Sequence, residues 1–324
     1  MCTAISFKGI NHYFGRNLDL EYRYDESITI MPRNFIIKYK SGEIERRHFA
    51  IIGTTTLIDG YPLYYDATNE YGLSMAGLNF VRNAFYFPEA QFGKVNLAPH
   101  ELILYVLSKC KTVEETIRLL NNVAIIDVKF RADLPTPELH WLISDKNDSI
   151  TVEFMRDGMK IYKNIVGVLT NNPPFDFHIN NLNNYINISN KEPRNEFSVR
   201  IKLINYSKGM GGLGLPGDLS SSSRFIKGTF TKLNATILET EEESVSQFFH
   251  ILGAVEQVEG CVKVGESYER TQYSSCCNTD KGIYYYKTYT NFQISAIDMH
   301  KENRDSSKLI SYQMIFEPKI YYHN

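Results

Sequence analysis

The chain reads as an α+β protein, and three observations carry that reading. Short runs rich in β-branched and aromatic residues crowd both ends of the sequence, helical periodicity comes in two pairs between them, and the two kinds of segment arrive in blocks. Strict β-α alternation, the mark of a doubly wound parallel sheet, is missing.

Taken in order, the first third is strand: TAISF (3–7), HYFGRNL (12–18), SITIMP (27–32), NFIIKY (34–39) and HFAIIGTTTLI (48–58). LSMAGLNF (73–80) follows, then HWLISD (140–145), ITVEFM (150–155) and MKIYKN (159–164), with Asp157-Gly158 supplying a hairpin turn between the last two. TQYSSCC (271–277), IYYYKTYT (283–290), FQISAID (292–298) and LISYQMIF (309–316) close the chain. Helical periodicity predicts one pair at 100–109 and 112–121, where Thr112 precedes Glu115 as in a capping box. A second pair is predicted at 221–234 and 243–256, the latter with Phe248, Phe249, Ile251 and Leu252 on one stripe. There is no internal repeat, and the four serines at 220–223 are the sole low-complexity run.

The 324 residues are 43% hydrophobic and 22% charged, an ordinary globular balance. Length alone would allow two domains of ~150 residues, but sheet-rich chains of this size form one unit, and a single domain over 1–324 is expected. A formal net charge of −2, with both signs scattered, offers no basic field for nucleic acid. No apolar run approaches the ~20 residues that span a bilayer, and the start lacks the basic and apolar regions of a secretory signal, so no membrane insertion and a cytoplasmic location are expected. Five cysteines make an odd count, and Cys276 and Cys277 should point to opposite faces of a strand, which argues against a disulfide framework. No C-x-x-C pair or H-E-x-x-H grouping is present, so neither a metal nor another cofactor is expected.

GMGGLG (209–214) matches G-x-G-x-x-G, but Leu215-Pro216-Gly217 follows where a helix would have to open, so a glycine-rich loop is the reading. Cys2 is more informative. A small residue after the initiator methionine permits its removal, leaving one residue with both a thiol and an α-amine, whose ordinary pKa of ~7.7–8.0 suits it to take the thiol's proton. A buried, inert Cys2 is the competing reading. Arg16 and Asp19 in FGRNLDL have complementary uses: a guanidinium favours thiolate and a carboxylate orients an ammonium, against the plainer reading of a surface ion pair.

MCT at the start, FGRNLDLE (14–21), NEYGLSMAGLNF (69–80), HWLISD (140–145), LTNNPPFDFHINNLNNY (169–185), GLPGDLSSSSRF (214–225) and KGIYYYKTYTNFQISAIDM (281–299) together resemble the choloylglycine hydrolase family, in the family's order and across almost the whole chain. The resemblance implies an N-terminal nucleophile hydrolase with a four-layer αββα sandwich, two antiparallel sheets face to face with helices outside. It implies Cys2 as nucleophile, Arg16 and Asp19 as its charged neighbours, and Asn79 as a substrate-side residue of the oxyanion hole. Asn171 would be that hole's side-chain amide donor and Arg224 the second arginine of the site. Outside the family pattern, the two asparagines read as turn or strand-end residues and Arg224 as an exposed helix residue. A wall of Leu18, Tyr24, Ile58, Tyr65, Phe130, Leu134 and Leu139 would meet an apolar acyl group, although a core uses the same residue types.

The implied reaction is hydrolysis of glycine- or taurine-conjugated bile acids through a Cys2 thioester, by a homotetramer from which Met1 has been removed. Penicillin V or long-chain N-acyl amides are rival substrates on the same fold. Penicillin-preferring relatives typically carry tyrosine where this chain has Asn79, which favours bile salts. A non-catalytic amphiphile-binding protein is the rival of another class, and the presence of all six site residues argues against it.

Overall fold

Two antiparallel sheets face each other across a shared apolar layer in the computed structural model, which describes residues 1–324. The first sheet has seven strands. Its main path runs Val168–Leu169, Cys2–Lys8, His12–Leu20, Ser267–Asn278, Ile283–Thr288 and Ser295–Asp298, and Val262–Val264 pairs beside Ser267–Asn278. The second has eight, in the order Gly158–Lys163, Ser149–Met155, Leu139–Ser144, Ser74–Asn79, Tyr61–Asn69, Ile51–Ile58, Ser27–Met31 and Ile310–Gln313. Helices Leu102–Lys109 and Val113–Leu120 cover the outer face of the second sheet, with Trp141, Leu104 and Val152 in the core between. Helices Ser221–Asn234 and Glu241–Gly253 cover the first through Phe225, Phe248 and Leu252. This is the expected αββα sandwich. Strand Cys2–Lys8 lies under helices on one side and the second sheet on the other, so six of its seven residues are buried and its sequence does not alternate.

The helix at 221–234 falls where its periodicity placed it, and the second of that pair sits earlier than expected, at Glu241–Gly253. Its start is fixed by Thr240, which forms a complete capping box with Glu243. At the other site, Thr112 caps Glu115 N, but the Glu115 carboxylate accepts from Lys111 N, so only half of the expected box forms. The run at 34–39 reduces to Ile37–Lys38, because Phe35 N turns back to Pro32 O. The run at 48–58 begins pairing at Ile51, and that at 309–316 pairs only over Ile310–Gln313. Tyr61–Asn69 and Phe175–Asn181 escaped the sequence reading. The first hides a strand behind Pro62, Asp66, Thr68 and Asn69, and the second opens a helix directly after two prolines.

GMGGLG forms a short 3₁₀ turn at Met210–Gly212 with no strand before it and no following helix, as a loop should. All five cysteines are free. The fold places one glycine with little tolerance: a Cβ on Gly15 would lie 1.9 Å from Ser275 O, so the glycine of FGRN lets the strands His12–Leu20 and Ser267–Asn278 close next to Arg16.

Candidate active site

The strand pair Cys2–Lys8 and His12–Leu20 sets the site by register. Cys2 faces Leu18 and Ala4 faces Arg16, so pleating sends these four side chains to the inner face, between the sheets, and Thr3, Asn17 and Asp19 to the outer face, toward the helices. Arg16 and Asp19 are fully buried, which removes the surface ion-pair reading.

On the inner face, Arg16 crosses to the second sheet, where its Nη1 donates to Tyr65 O at 2.9 Å and Gly77 O at 2.6 Å. Burial works against its charge, yet the adjacent Cys2 sulfur, Tyr273 and Asp66 together hold the guanidinium above its ordinary pKa. A cation fixed beside the sulfur favours thiolate.

On the outer face, the Asp19 carboxylate accepts from Thr271 Oγ1 at 2.6 Å and from Gln257 Nε2 at 3.5 Å. A bulge between Thr271 and Tyr273 lets the first point out to Asp19 and the second point inward. Burial raises the Asp19 pKa, opposed by Arg224, the chain's amino terminus and Thr271. Arg224, on the first turn of its helix after the Ser220 cap, donates through Nη1 to Cys2 O at 2.5 Å and Thr3 Oγ1 at 2.6 Å, and through Nη2 to Asn171 Oδ1 at 2.8 Å. It approaches Asp19 Oδ2 at 4.0 Å. Burial lowers the Arg224 pKa, opposed by Asp19 and Cys2.

Asn171 ties these parts together. Its Oδ1 accepts from Cys2 N at 2.8 Å, its Nδ2 donates to Asn79 O at 2.8 Å, its N donates to Ser221 Oγ at 2.8 Å, and its O lies 2.9 Å from His178 Nε2. One Nδ2 hydrogen is committed to Asn79, which leaves the other for a developing oxyanion. The six expected residues are therefore brought together: Cys2 and Arg16 on the inner face, Asp19, Asn171 and Arg224 around the Cys2 backbone nitrogen, and Asn79 through its backbone carbonyl, its side chain lying on the face of its strand that carries Met75 and Gly77.

Met1 is present in this structure. Its amine donates to Asp19 O at 2.7 Å and pairs with Glu269, while Asp19 N donates to Met1 O at 3.0 Å, so Met1 extends the strand by one residue. With Met1 attached, Cys2 N is an amide and not a base.

The apolar wall divides in two. Leu18 is buried opposite Cys2, Leu139 pairs with Asn79, and Tyr65 joins Tyr24 through Thr56, whose Oγ1 lies 2.9 Å from Tyr65 Oη and 2.8 Å from Tyr24 O. Ile58 pairs with Tyr61 at a hairpin tip, and the Phe130 ring sits 5.5 Å from that of Tyr61. Leu134, in the loop after Phe130, donates its N to Arg131 O at 3.0 Å, and nothing in its surroundings ties it to the nucleophile. The sequence reading missed Thr271, Gln257, Glu269, Ser221 and His178. Thr271 is 252 residues from Asp19, and no local pattern marks such a contact. A cavity of about 420 Å³ opens on the outer face beside Gln257 and Thr271, away from the face that carries the sulfur.

Residues 2–312 match the family of linear amide C-N hydrolases described as the choloylglycine hydrolase family. The chain is 50% identical over 322 residues to a bile salt hydrolase/transferase of Lactiplantibacillus plantarum, covering 99% of each chain. It is 41% identical to the bile salt hydrolase/transferase of Clostridium perfringens, covering 97% of each. A solved structure of a mutant conjugated bile acid hydrolase from Clostridium perfringens superposes with a TM-score of 0.93 at 37% identity, over 100% of both chains. Penicillin V acylase from Agrobacterium tumefaciens, at 21% identity and a TM-score of 0.74 over 96% of this chain and 90% of its own, shares the fold.

Proposed function

The chain belongs to the choloylglycine hydrolase family, and from that premise we propose that it cleaves the amide bond of glycine- or taurine-conjugated bile acids, with Cys2 as nucleophile once Met1 is gone. One observation carries the mechanism: Cys2 N already lies 2.8 Å from Asn171 Oδ1, inside the Asp19 and Arg224 cluster, while the sulfur shares the other face with Arg16. Removal of Met1 would turn that nitrogen into an amine in a site built to hold it.

In the proposed sequence, the α-amine takes the thiol proton and the thiolate, favoured by Arg16, attacks the amide carbon. The oxyanion is met by the free Asn171 amide hydrogen, with Asn79 beside it. Collapse breaks the C–N bond as the α-ammonium returns its proton to the leaving nitrogen, and a thioester remains. The amine then activates water, which displaces the thiolate and releases the bile acid. Asp19, held by Thr271 and Gln257, stabilises the ammonium state. The bile acid reading rests on the names of the relatives at 50% and 41% identity and on Asn79 at the substrate edge. Leu18, Tyr24, Ile58, Tyr65, Phe130, Leu134 and Leu139 are proposed as the apolar wall, with Leu18 opposite Cys2 in register and Tyr65 carrying the carbonyl that receives Arg16.

The homotetramer implied by resemblance is supported by apolar side chains left in solvent along one segment, Phe197, Val199, Ile204 and Tyr206, which light scattering after gel filtration would test. No helix is long and apolar enough to cross a membrane. A cytoplasmic site is supported by the five unpaired thiols. The deciding experiment is product analysis with glycine conjugates, taurine conjugates and penicillin V side by side, on protein whose intact mass shows that it begins at Cys2. Full activity from homogeneous Met1-bearing protein would rule out the mechanism, and turnover of penicillin V alone would rule out the substrate.

A further inference from the structure

One fully buried carboxylate has no part in the chemistry above. Asp66, on the central strand Tyr61–Asn69 of the second sheet, faces inward and accepts three hydroxyls from the first sheet: Tyr273 Oη at 2.8 Å, Ser275 Oγ at 3.1 Å, and Tyr284 Oη. Tyr284 Oη in turn lies 2.7 Å from Thr54 Oγ1, so the acceptor is surrounded by an ordered hydroxyl network. Arg16 makes the opposite crossing. It docks on the carbonyl of Tyr65, the neighbour of Asp66, and on that of Gly77, which follows the Asp66 register partner Ala76. Ser275 Oγ touches both, accepting from Arg16 N at 3.1 Å and donating to Asp66. Yet the guanidinium and the carboxylate form no ion pair within 4.0 Å, and Arg16 Nε is left without a partner.

We propose that Asp66 is a positioning residue for the nucleophile: the fixed negative charge against which Arg16 is held, buried, beside Cys2. A guanidinium deep in a sandwich needs a counter-charge before any thiolate has formed. A direct ion pair would spend the guanidinium on the carboxylate. Three hydroxyls satisfy Asp66 instead and hold it one residue away, so Arg16 keeps its cationic field for sulfur. The groups facing Asp66 from the packed strands are Arg16 on one strand, Tyr273, Ser275 and Cys277 on the next, Tyr284 beyond, and Thr54 on its own sheet; Arg16 is the single cation among them. Burial pushes the carboxyl upward, opposed first by Arg16 and then by the three hydroxyls.

The test reads the thiol without any substrate, so it depends on Cys2 as nucleophile but not on the bile acid reading. The rate of iodoacetamide alkylation of Cys2, mapped by mass against the other four cysteines in mature protein, is followed with pH. In Asp66→Asn, Arg16 acts on the sulfur unopposed, and the profile should move about one unit toward acid. Tyr284→Phe removes one hydroxyl but leaves the charge, and its profile should stay with the parent. No shift in Asp66→Asn, a shift toward alkaline, or equal shifts in both variants would overturn the proposal. Should Asp66→Asn fold poorly, Arg16→Gln and the double variant decide: the double should recover midpoint urea concentration lost in Arg16→Gln, whereas additive losses would overturn the coupling.

Discussion

The two ends of one strand pair, Cys2–Lys8 with His12–Leu20, both bury polar side chains and are chemically opposite. At the Cys2 end the buried groups carry charge: Arg16, Asp19 and Arg224 surround one sulfur and one nitrogen. At the far end the strand pair's own buried polar side chains, Ser6 and His12, are neutral. Ser6 Oγ lies 2.9 Å from His12 Nε2 and 2.8 Å from Ser144 Oγ, and His12 Nδ1 lies 2.8 Å from Thr279 Oγ1. Burial pulls the His12 pKa down to about 4, so the imidazole stays uncharged. Hydrogen bonds satisfy Ser6 and His12 at the far end, whereas Arg16 Nε at the Cys2 end has no partner, and buried charge gathers around Cys2. That difference teaches that burial by itself does not mark a candidate site; a cluster of buried charges of both signs does.

The sharpest way to break this comparison is to neutralise the charged end without emptying it. Asp19→Asn should lower turnover by about 10²–10⁴, the range for losing a group that supports proton transfer. The fold should tolerate the change, because Thr271 can still donate to the remaining oxygen and Gln257, whose Oε1 has no partner, can turn its amide to accept. Single-turnover kinetics beside a urea titration would check it. Loss of the folded state with unchanged activity per folded molecule would mean that the charge serves packing.

What the sequence disclosed follows the same division. The strands and helix that carry Cys2, Arg16, Asp19, Asn79 and Arg224 were legible because each lies in or beside a run rich in β-branched and aromatic residues or, for Arg224, of helical period, and the six candidate residues because they sit in contiguous motifs that resemble the family's. Thr271, Gln257, Asp66 and Glu269 were not legible, since their roles come from strands brought together across hundreds of residues and, for Thr271, from a bulge that no pattern announces. Strand Tyr61–Asn69 was overlooked for a related reason: the polar residues that make it read as loop are themselves buried, Asp66 between the sheets and Asn69 against the end of helix Leu102–Lys109.

A smaller effect is expected at the substrate edge. Asn79→Tyr leaves the carbonyl that receives Asn171 Nδ2 in place but replaces a short amide with a ring beside Leu139. Bile salt turnover should fall about tenfold, the size of one lost hydrogen bond to a charged or developing oxygen, while penicillin V turnover is spared. Steady-state kinetics on both substrates would check it. Equal proportional losses would assign Asn79 to the shared amide chemistry and remove it as a determinant of the acyl group.

The smallest effect belongs to the neutral end and appears in stability. His12 titrates near its ordinary value of 6.5 when unfolded and at about 4 when folded, because burial disfavours its cation. Above pH 6.5 the imidazole is neutral in both states and costs nothing. Between 6.5 and about 4 the unfolded chain binds a proton that the folded chain refuses, so stability is lost as pH falls, at up to about 1.4 kcal/mol per pH unit for this one group. The buried carboxyls Asp19 and Asp66, raised by burial, contribute the opposite slope, but they are common to parent and variant and cancel in a difference. His12→Gln keeps an amide within reach of Ser6 and Thr279 and has no proton to take up. It should be less stable than the parent at pH 7.5 through imperfect packing, and the two stability curves from urea titration should converge as pH falls toward 4.5. Curves that stay parallel across that window would show that His12 takes up its proton as readily in the folded protein as in the unfolded chain, and the contrast between a charged and a neutral end of the same hairpin would fail.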